Sequence, residues 1–181
     1  STRNLAKYPN RFYFSAYKPT NAIIIPRVSS ERRPYIPIGF LSADNIISDS
    51  ALAIYDASVW LFAILTSKIH MVWVKSVGGR LKTDYRYSAQ LCYNTFPFPT
   101  ISEAQKAELA GLAQEVLDLR EEHFDMTLGE MYNPETMPED LRETHRRLDL
   151  AVEHCYRTEP FASDEERLEC LFKLYVKMTK K

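Results

Sequence analysis

The sequence predicts an α+β protein in two parts: a mixed strand and helix domain in residues 1–99 and a small α-helical bundle in residues 100–181. Aromatic residues concentrate in the first part, which holds 16 of the 22. Residues 1–99 carry 12 Lys and Arg against 5 Asp and Glu, a net charge of +7, whereas residues 100–181 carry 11 against 19, a net charge of −8. A basic, aromatic-rich half is typical of proteins that bind a polyanion. The alternative is that the asymmetry reflects two domains docking on each other.

The strands of the first part are indicated by aromatic and β-branched runs between Pro and Asn signals. Pro37 places one of these runs at a sheet edge or at a bulge. Another stretch is apolar at both ends and polar at its centre, Ser48-Asp49-Ser50, which predicts a strand interrupted by a tight feature that presents short polar side chains. The strand predictions cover residues 11–17, 22–28, 35–41 and 45–55.

A central helix is predicted to begin after Asp56 and to run to about Val77, because its apolar residues form more than one stripe. Gly78 and Gly79 end this helix. The apolar run from Ala57 is interrupted by Ser, Lys and His, so we interpret it as a buried helix and not as a membrane span.

Four charged residues follow the glycines at strict alternation: Arg80, Lys82, Asp84 and Arg86, here called the charged row. In one extended strand, alternate side chains project to the same face. Lysine and arginine can donate to guanine O6 and N7, and aspartate can accept from cytosine N4, so the row could read base edges in a major groove. The alternative is a solvated strand face with cross-strand ion pairs.

The acidic half carries three helix-start signals with capping-box spacing, Ser102 with Gln105, Thr136 with Glu139 and Ser163 with Glu166. They predict helices over residues 102–123, 137–157 and 163–178, with a loop over 126–134. Apolar side chains at helical spacing supply the buried faces of the first two helices: Leu109, Leu112, Ala113, Val116, Leu117 and Leu119, then Leu141, Leu148, Val152 and Tyr156.

Several classes of chemistry have no signal in the sequence. No glycine-rich dinucleotide or P-loop motif is present, and no nucleophile has a supporting base. The three cysteines and four histidines lack metal-ligand spacing, so the expectation is no metal site and no catalytic centre in this chain. The cysteines fit a reducing compartment, which together with the absence of a signal peptide predicts a cytoplasmic protein. The first residue, Ser1, suggests a fragment of a longer protein.

Four blocks of the sequence resemble the target-recognition region of the MmeI-like DNA methyltransferases: Ile54–Phe62, Leu65–Val74, Gly78–Ser88 and Tyr93–Pro97. The resemblance runs from about residue 20 through the helical tail. It implies a parent in which a nuclease and an S-adenosylmethionine-dependent adenine-N6 methyltransferase precede a target-recognition domain and a helical domain. This chain resembles only the last two pieces, so no cofactor is expected in it.

The resemblance also implies site residues. Lys82 and Asp84 occupy a pair that varies with the target sequence in the family. Arg86, with Asp49 and Ser50, is a hypothesis for neighbouring bases, and Arg27 could join them. Arginines at strand ends and in loops are expected to contact the DNA backbone: Arg27, Arg32, Arg33 and Arg80.

The expected partners are double-stranded DNA and the methyltransferase domain of the same polypeptide. The function predicted from the sequence is therefore recognition of specific duplex DNA for an adenine methyltransferase of a restriction-modification system. The alternative, from a different class, is a protein-interaction module with a basic docking face.

Overall fold

The computed structural model describes residues 17–180 and confirms the α+β prediction. Among these residues, four strands precede the first two helices, two strands follow these helices, and together the six strands form two small antiparallel sheets. The strands are β1 (Ala22–Pro26), β2 (Val28–Ser29), β3 (Gly39–Leu41), β4 (Ala51–Tyr55), β5 (Gly79–Leu81) and β6 (Asp84–Arg86). The helices are α1 (Val59–Thr66), α2 (Lys68–Val77), α3 (Glu103–Glu122), α4 (Leu128–Met131), α5 (Glu139–His154) and α6 (Asp164–Thr179), and a π-helical turn, here called the π turn, spans Ala89–Tyr93.

Arg27 is the residue at which the chain passes from one sheet to the other. The first sheet has the order β3-β1-β4, and the second has the order β2-β6-β5. In the first sheet Ile23 lies opposite both Phe40 and Ile54. Ile23 and Ile25 are fully buried, as expected for alternate residues that face the core. The strand predicted over residues 22–28 is thus two short strands that belong to different sheets.

Other strand predictions were too long. Within 35–41 only β3 pairs with another strand, and within 45–55 only β4 does. Tyr35 and Ile36 are buried in the core without pairing in a ladder, and Tyr35 donates from its hydroxyl to Asp149 of the helical half. The strand predicted over 11–17 lies outside the described residues except for Tyr17, which is not in a strand.

The central helix is broken in two. Asp56 does not cap it: this residue has a φ of 57°, and Ser58 is the residue that precedes α1. Ser67 separates α1 from α2 with an extended backbone, a ψ of 161°. Its hydroxyl donates to the Ile64 carbonyl at 2.6 Å, and it accepts from the amide of His70 at 3.5 Å. One serine therefore satisfies backbone groups of both helices.

The three long helices of the acidic half match their predictions. Ser102 and Gln105 form the predicted capping box of α3, and Ser163 accepts from the Glu166 amide at the start of α6. The cap predicted at Thr136 is wrong, because Pro138 precedes α5 and the Thr136 hydroxyl donates to the Glu130 carbonyl at 2.7 Å. The predicted loop over 126–134 contains α4, which begins with an unpredicted capping box of Thr127 and Glu130.

One continuous hydrophobic core joins the basic half to the acidic half. Helix α1 packs on α3, α3 packs on α5, and α2 packs on α6. The largest fully buried side chains come from both halves and include Phe62, Trp73, Phe96, Leu109, Tyr132 and Leu141. Within residues 17–180, no helix combines the length and the apolar character needed to cross a membrane.

Gly78 is required at the end of α2 because a side chain would not fit there, and not because of its backbone angles. Its φ of −70° is open to any residue. A Cβ there would lie 2.5 Å from the Val74 carbonyl oxygen and 3.3 Å from the Cys92 sulfur. We expect Gly78→Ala to lower the free energy of unfolding by about 1 to 3 kcal/mol, since backbone and a buried side chain would both have to move. Urea denaturation of the chain measures this.

The matched control is Gly111 in the middle of α3, where an added Cβ meets nothing within 4 Å. Gly111→Ala is expected to raise the free energy of unfolding by roughly 0.5 to 1 kcal/mol, because alanine favours a helix interior over glycine. Equal effects of the two substitutions would contradict the steric explanation for Gly78.

Candidate nucleic-acid interface

The charged row lies in a β-hairpin, so the prediction that it lies in one extended strand is wrong. Strands β5 and β6 are joined by a two-residue turn at Lys82 and Thr83. Arg80 lies opposite Tyr85, and Leu81 lies opposite Asp84. Residues opposite each other in an antiparallel pair share a face, so Arg80 projects to the side of Tyr85, whereas Asp84 and Arg86 project to the other side. The four charges therefore do not form one row.

Arg80 is engaged within the hairpin. Its guanidinium lies 4.1 Å from the centroid of the Tyr85 ring, and Nη1 donates to the Thr83 carbonyl at 2.9 Å. Glu31 places a carboxylate oxygen 3.9 Å from the same nitrogen. These contacts stabilise the turn and hold Arg80 away from the face of Asp84 and Arg86.

Lys82 and Asp84 lie at and beside the tip of the hairpin. Lys82 adopts a φ of 56°, the left-handed conformation that turns of this kind require. Neither side chain forms a hydrogen bond or an ion pair with residues 17–180, and the same holds for Arg86. Across the described part of the chain, the polar groups of these three side chains are thus available to a ligand.

A second polar cluster lies where the two sheets meet. Arg27 donates from Nε to the Asp49 carbonyl at 2.6 Å and from Nη2 to Asp49 Oδ1 at 2.7 Å. Its own amide donates to the Ser50 carbonyl at 3.1 Å. The Asp49 side chain is 97% exposed. The polar centre of residues 48–50 is therefore a tight turn anchored to Arg27, as predicted, but a strand follows it only on the carboxyl-terminal side, in β4.

An open groove of about 540 Å³ lies between Arg27 of this cluster and Arg86 of the hairpin, and its lining does not include Asp49 or Ser50. Arg27 and Arg86 line it, with Leu52 and residues 87–91. The amide of Tyr87 donates to the Arg27 carbonyl at 2.9 Å, which fixes the end of β6 beside the junction of β1 and β2. The structure thus brings together four residues that the sequence analysis nominated from three separate segments: Arg27, Asp49, Ser50 and Arg86.

Two other predicted residues face the helical half. Arg32 forms an ion pair with Glu135, and Arg33 Nη2 donates to the Gly129 carbonyl at 3.4 Å. They line a shallow depression of about 80 Å³ with Asn133 and Pro134. Neither arginine lines the groove of Arg27 and Arg86.

The groove rests on buried side chains that keep its floor fixed. Tyr87 hydrogen-bonds through its hydroxyl to His70 Nε2 at 2.9 Å, and both residues are buried. Burial lowers the pKa of His70 to about 3, so the ring is neutral at physiological pH. Burial likewise raises the pKa of the Tyr87 hydroxyl. A neutral, desolvated pair of this kind supports the strand that carries Arg86.

A buried polar network that the sequence analysis missed joins the two halves. Arg120 is only 8% exposed, and its Nη1 donates to the Ile38 carbonyl at 2.7 Å. Its Nε donates to the Tyr132 hydroxyl at 2.8 Å, and that hydroxyl also lies 2.6 Å from His145 Nε2. One signal could have identified Arg120: it falls at helical spacing from the buried Ala113 and Val116.

Asp149 forms a second link between the halves. Its Oδ1 accepts from the Lys68 amide at 2.6 Å, at the start of α2, and its Oδ2 accepts from the Tyr35 hydroxyl at 2.7 Å. Burial raises the pKa of this carboxyl to about 7, and neighbouring Glu153 adds to the effect, although both hydrogen bonds oppose it.

The raised pKa of Asp149 predicts a pH dependence of stability. Between about pH 4 and pH 7 the folded state holds a proton that the unfolded state has lost, so this carboxyl makes the folded chain less stable as pH rises. Asp149→Asn keeps an acceptor for the Lys68 amide and cannot ionise. Between pH 4 and pH 7.5, we expect the free energy of unfolding of the variant to rise by on the order of 3 kcal/mol relative to that of the natural chain.

Urea denaturation of both proteins at several pH values measures this difference. Subtracting the two curves removes the contribution of the buried histidines, which has the opposite sign because their pKa values are lowered. A constant difference across this pH range would contradict a raised pKa at Asp149.

Both halves of the chain match models of known protein families. Residues 1–100 match the family model described as MmeI, target recognition domain, and residues 101–181 match the model described as MmeI, C-terminal domain. The chain belongs to the MmeI family. The resemblance found in the sequence is thereby confirmed.

Two known proteins are similar to this chain over nearly its whole length. The DNA methyltransferase A of Bacillus subtilis (strain 168) is 52% identical over 180 residues, which are 99% of this chain and 20% of that protein. A solved structure of the Type IIL restriction-modification enzyme MmeI in complex with DNA is similar at 37% sequence identity with a TM-score of 0.92. The match covers 99% of this chain and 24% of the MmeI chain. The chain thus spans only a fifth to a quarter of these proteins.

Proposed function

We propose that this chain recognises a specific sequence in duplex DNA and directs an adenine-N6 methyltransferase, carried by the same polypeptide, to that site. The observation that carries the proposal is that Lys82, Asp84 and Arg86, at the hairpin and groove, have no side-chain partner among residues 17–180, in a chain whose residues 1–100 match the MmeI target recognition domain. We also propose the roles of individual residues given below and the activity of the full-length parent. Residues 1–99 are proposed to form the target-recognition domain, and residues 100–181 a helical domain.

Lys82 and Asp84 are proposed to read one base pair from the tip of the hairpin. A lysine ammonium donates to guanine O6 or N7, and a carboxylate accepts from the N4 amino group of the paired cytosine. Together they select one orientation of a G·C pair, with roughly 1 to 3 kcal/mol of discrimination. A two-residue hairpin is narrow enough to enter the major groove, which admits a two-stranded ribbon.

Arg86, Asp49 and Ser50 are proposed to read neighbouring bases. Arg86 lies on the same face of the hairpin as Asp84, and its guanidinium suits guanine. Of the two carboxylate oxygens of Asp49, Arg27 contacts only Oδ1, so within residues 17–180 Oδ2 of this exposed carboxylate is left for the amino group of a base. Arg27 also orients Asp49, so the pair acts as one preorganised unit.

The remaining arginines are proposed to contact the DNA backbone. Arg80 projects from the opposite face of the hairpin, and Arg32 stays exposed beside Glu135. Arg33 and Arg27 are proposed to contact the DNA backbone as well. Such contacts fix the register of the protein on the duplex and carry no sequence information.

The parent is proposed to use S-adenosylmethionine in a domain outside this chain and to act in the cytoplasm as part of a restriction-modification system. The relatives support this proposal, because they are named as a DNA methyltransferase and as a restriction-modification enzyme with DNA. Among residues 17–180 no group of three or more His, Cys, Asp and Glu could hold a metal ion.

Mapping N6-methyladenine in the DNA of cells that express the full-length parent tests the proposal. We expect one methylated motif that is absent from cells carrying the empty vector. An intact, soluble parent that methylates no motif would contradict it. That result would favour the alternative of a protein-interaction module with a basic face.

A further inference from the structure

The π turn contributes Gln90 to the lining of the groove that Arg27 and Arg86 also line. Its side chain is exposed and forms no hydrogen bond with residues 17–180. Neither the charged row nor the polar turn at residues 48–50 includes it. An amide beside two arginines, in a groove open to solvent, is a group with the hydrogen-bonding capacity to bind a ligand.

The backbone beneath Gln90 is held by several contacts. The amide of Cys92 donates to the Ser88 carbonyl at 2.7 Å, and the amide of Asn94 donates to the Ala89 carbonyl at 2.8 Å. Cys92 is fully buried, and the Trp73 indole donates to the Thr95 hydroxyl at 3.2 Å just beyond the turn. Burial of Cys92 directs the opposite side of the π turn, with Gln90 and Leu91, toward solvent.

Leu91 lies next to Gln90 on the groove and is 49% exposed. An exposed leucine beside an amide suits the edge of an A·T pair in the major groove. The glutamine amide can accept from adenine N6 and donate to N7, and an apolar side chain can contact the thymine methyl group. A phosphate would gain nothing from Leu91 or from Leu52, a second apolar residue of the groove.

We propose that Gln90 is a further base-reading residue and that it selects the adenine of an A·T pair close to the base pair read by Arg86. Leu91 contacts the methyl group of the paired thymine. This inference rests on the proposed function and deepens it, since it adds a third reading segment, the π turn, to the hairpin and to the turn at Asp49 and Ser50.

The test is motif mapping in the full-length parent with Gln90→Ala and Gln90→Glu. The natural motif is expected to contain a specified adenine besides the methylated one. Gln90→Ala should relax that position alone, with a roughly 5- to 150-fold loss of discrimination. Gln90→Glu should shift the preference there toward cytosine, because a carboxylate accepts from cytosine N4 and cannot donate to adenine N7.

The control is Gln114→Glu on the exposed face of α3, where Gln114 donates to Asp118 at 2.7 Å. It should leave the motif unchanged. An unchanged motif in both Gln90 variants overturns the inference, and so does weaker methylation of every site without a change of motif, which indicates a backbone contact. A motif that responds to Lys82 and Asp84 but not to Gln90 overturns this inference alone. A parent that yields no motif overturns the proposed function with it.

Discussion

Exchanging the charges at the hairpin tip, Lys82→Glu with Asp84→Arg, is expected to change the base pair that the full-length parent requires at one position of its motif. The new carboxylate accepts from cytosine and the new guanidinium donates to guanine, so the preferred orientation of the G·C pair should reverse. The size of the change corresponds to about 1 to 3 kcal/mol of discrimination, or roughly 5- to 150-fold. Methylation-site mapping of the parent and of the exchanged variant measures it.

Two further variants make this result specific. Lys82→Asn removes the ammonium and introduces a residue that tolerates the left-handed φ of 56°. This variant should relax the base preference at the same position of the motif without reversing the G·C pair. Exchanging Glu169 and Lys173, a solvent-exposed ion pair on α6, changes charges of the same kind far along the chain and should leave the motif intact. A motif identical in all these proteins would refute the assignment of Lys82 and Asp84.

Removing the charge of Arg120 is expected to cause the largest loss of stability. Arg120→Met deprives the Ile38 carbonyl and the Tyr132 hydroxyl of their buried donor. Unpaired buried polar groups are costly, and the free energy of unfolding should fall by about 3 kcal/mol. Because Arg120 joins the two halves, the whole chain should lose stability in a single transition, measured by urea denaturation followed at both a near-ultraviolet and a far-ultraviolet signal.

Arg146→Met is the matched control for Arg120. Arg146 lies on α5 with its side chain 68% exposed and pairs with Glu143 in water. Exposed ion pairs contribute little, so this variant should change the free energy of unfolding by less than about 0.5 kcal/mol. Equal losses for the two arginines would show that the buried network does not stabilise the junction.

The sequence alone determined the class of the fold, the long helices of the acidic half and the family. Helix α3 was identified because capping signals and apolar spacing are local, and Ser102, Gln105 and Leu109 lie within two turns of one another. The blocks around Gly78–Ser88 carried the resemblance, because a family pattern needs only the order of residues along the chain.

Only the tertiary structure decided which side chains meet. The alternation of charged residues over 80–86 is compatible with a single strand or with a hairpin. The turn at Lys82 places the Arg80 side chain on the face opposite to Asp84 and Arg86. Arg27 and Asp49 are 22 positions apart, and Arg120 and Ile38 are 82 apart, so no local pattern links either pair. The hydrogen bonds that assemble the groove and the junction depend on packing of distant segments, and that packing is not encoded in the spacing of neighbouring residues.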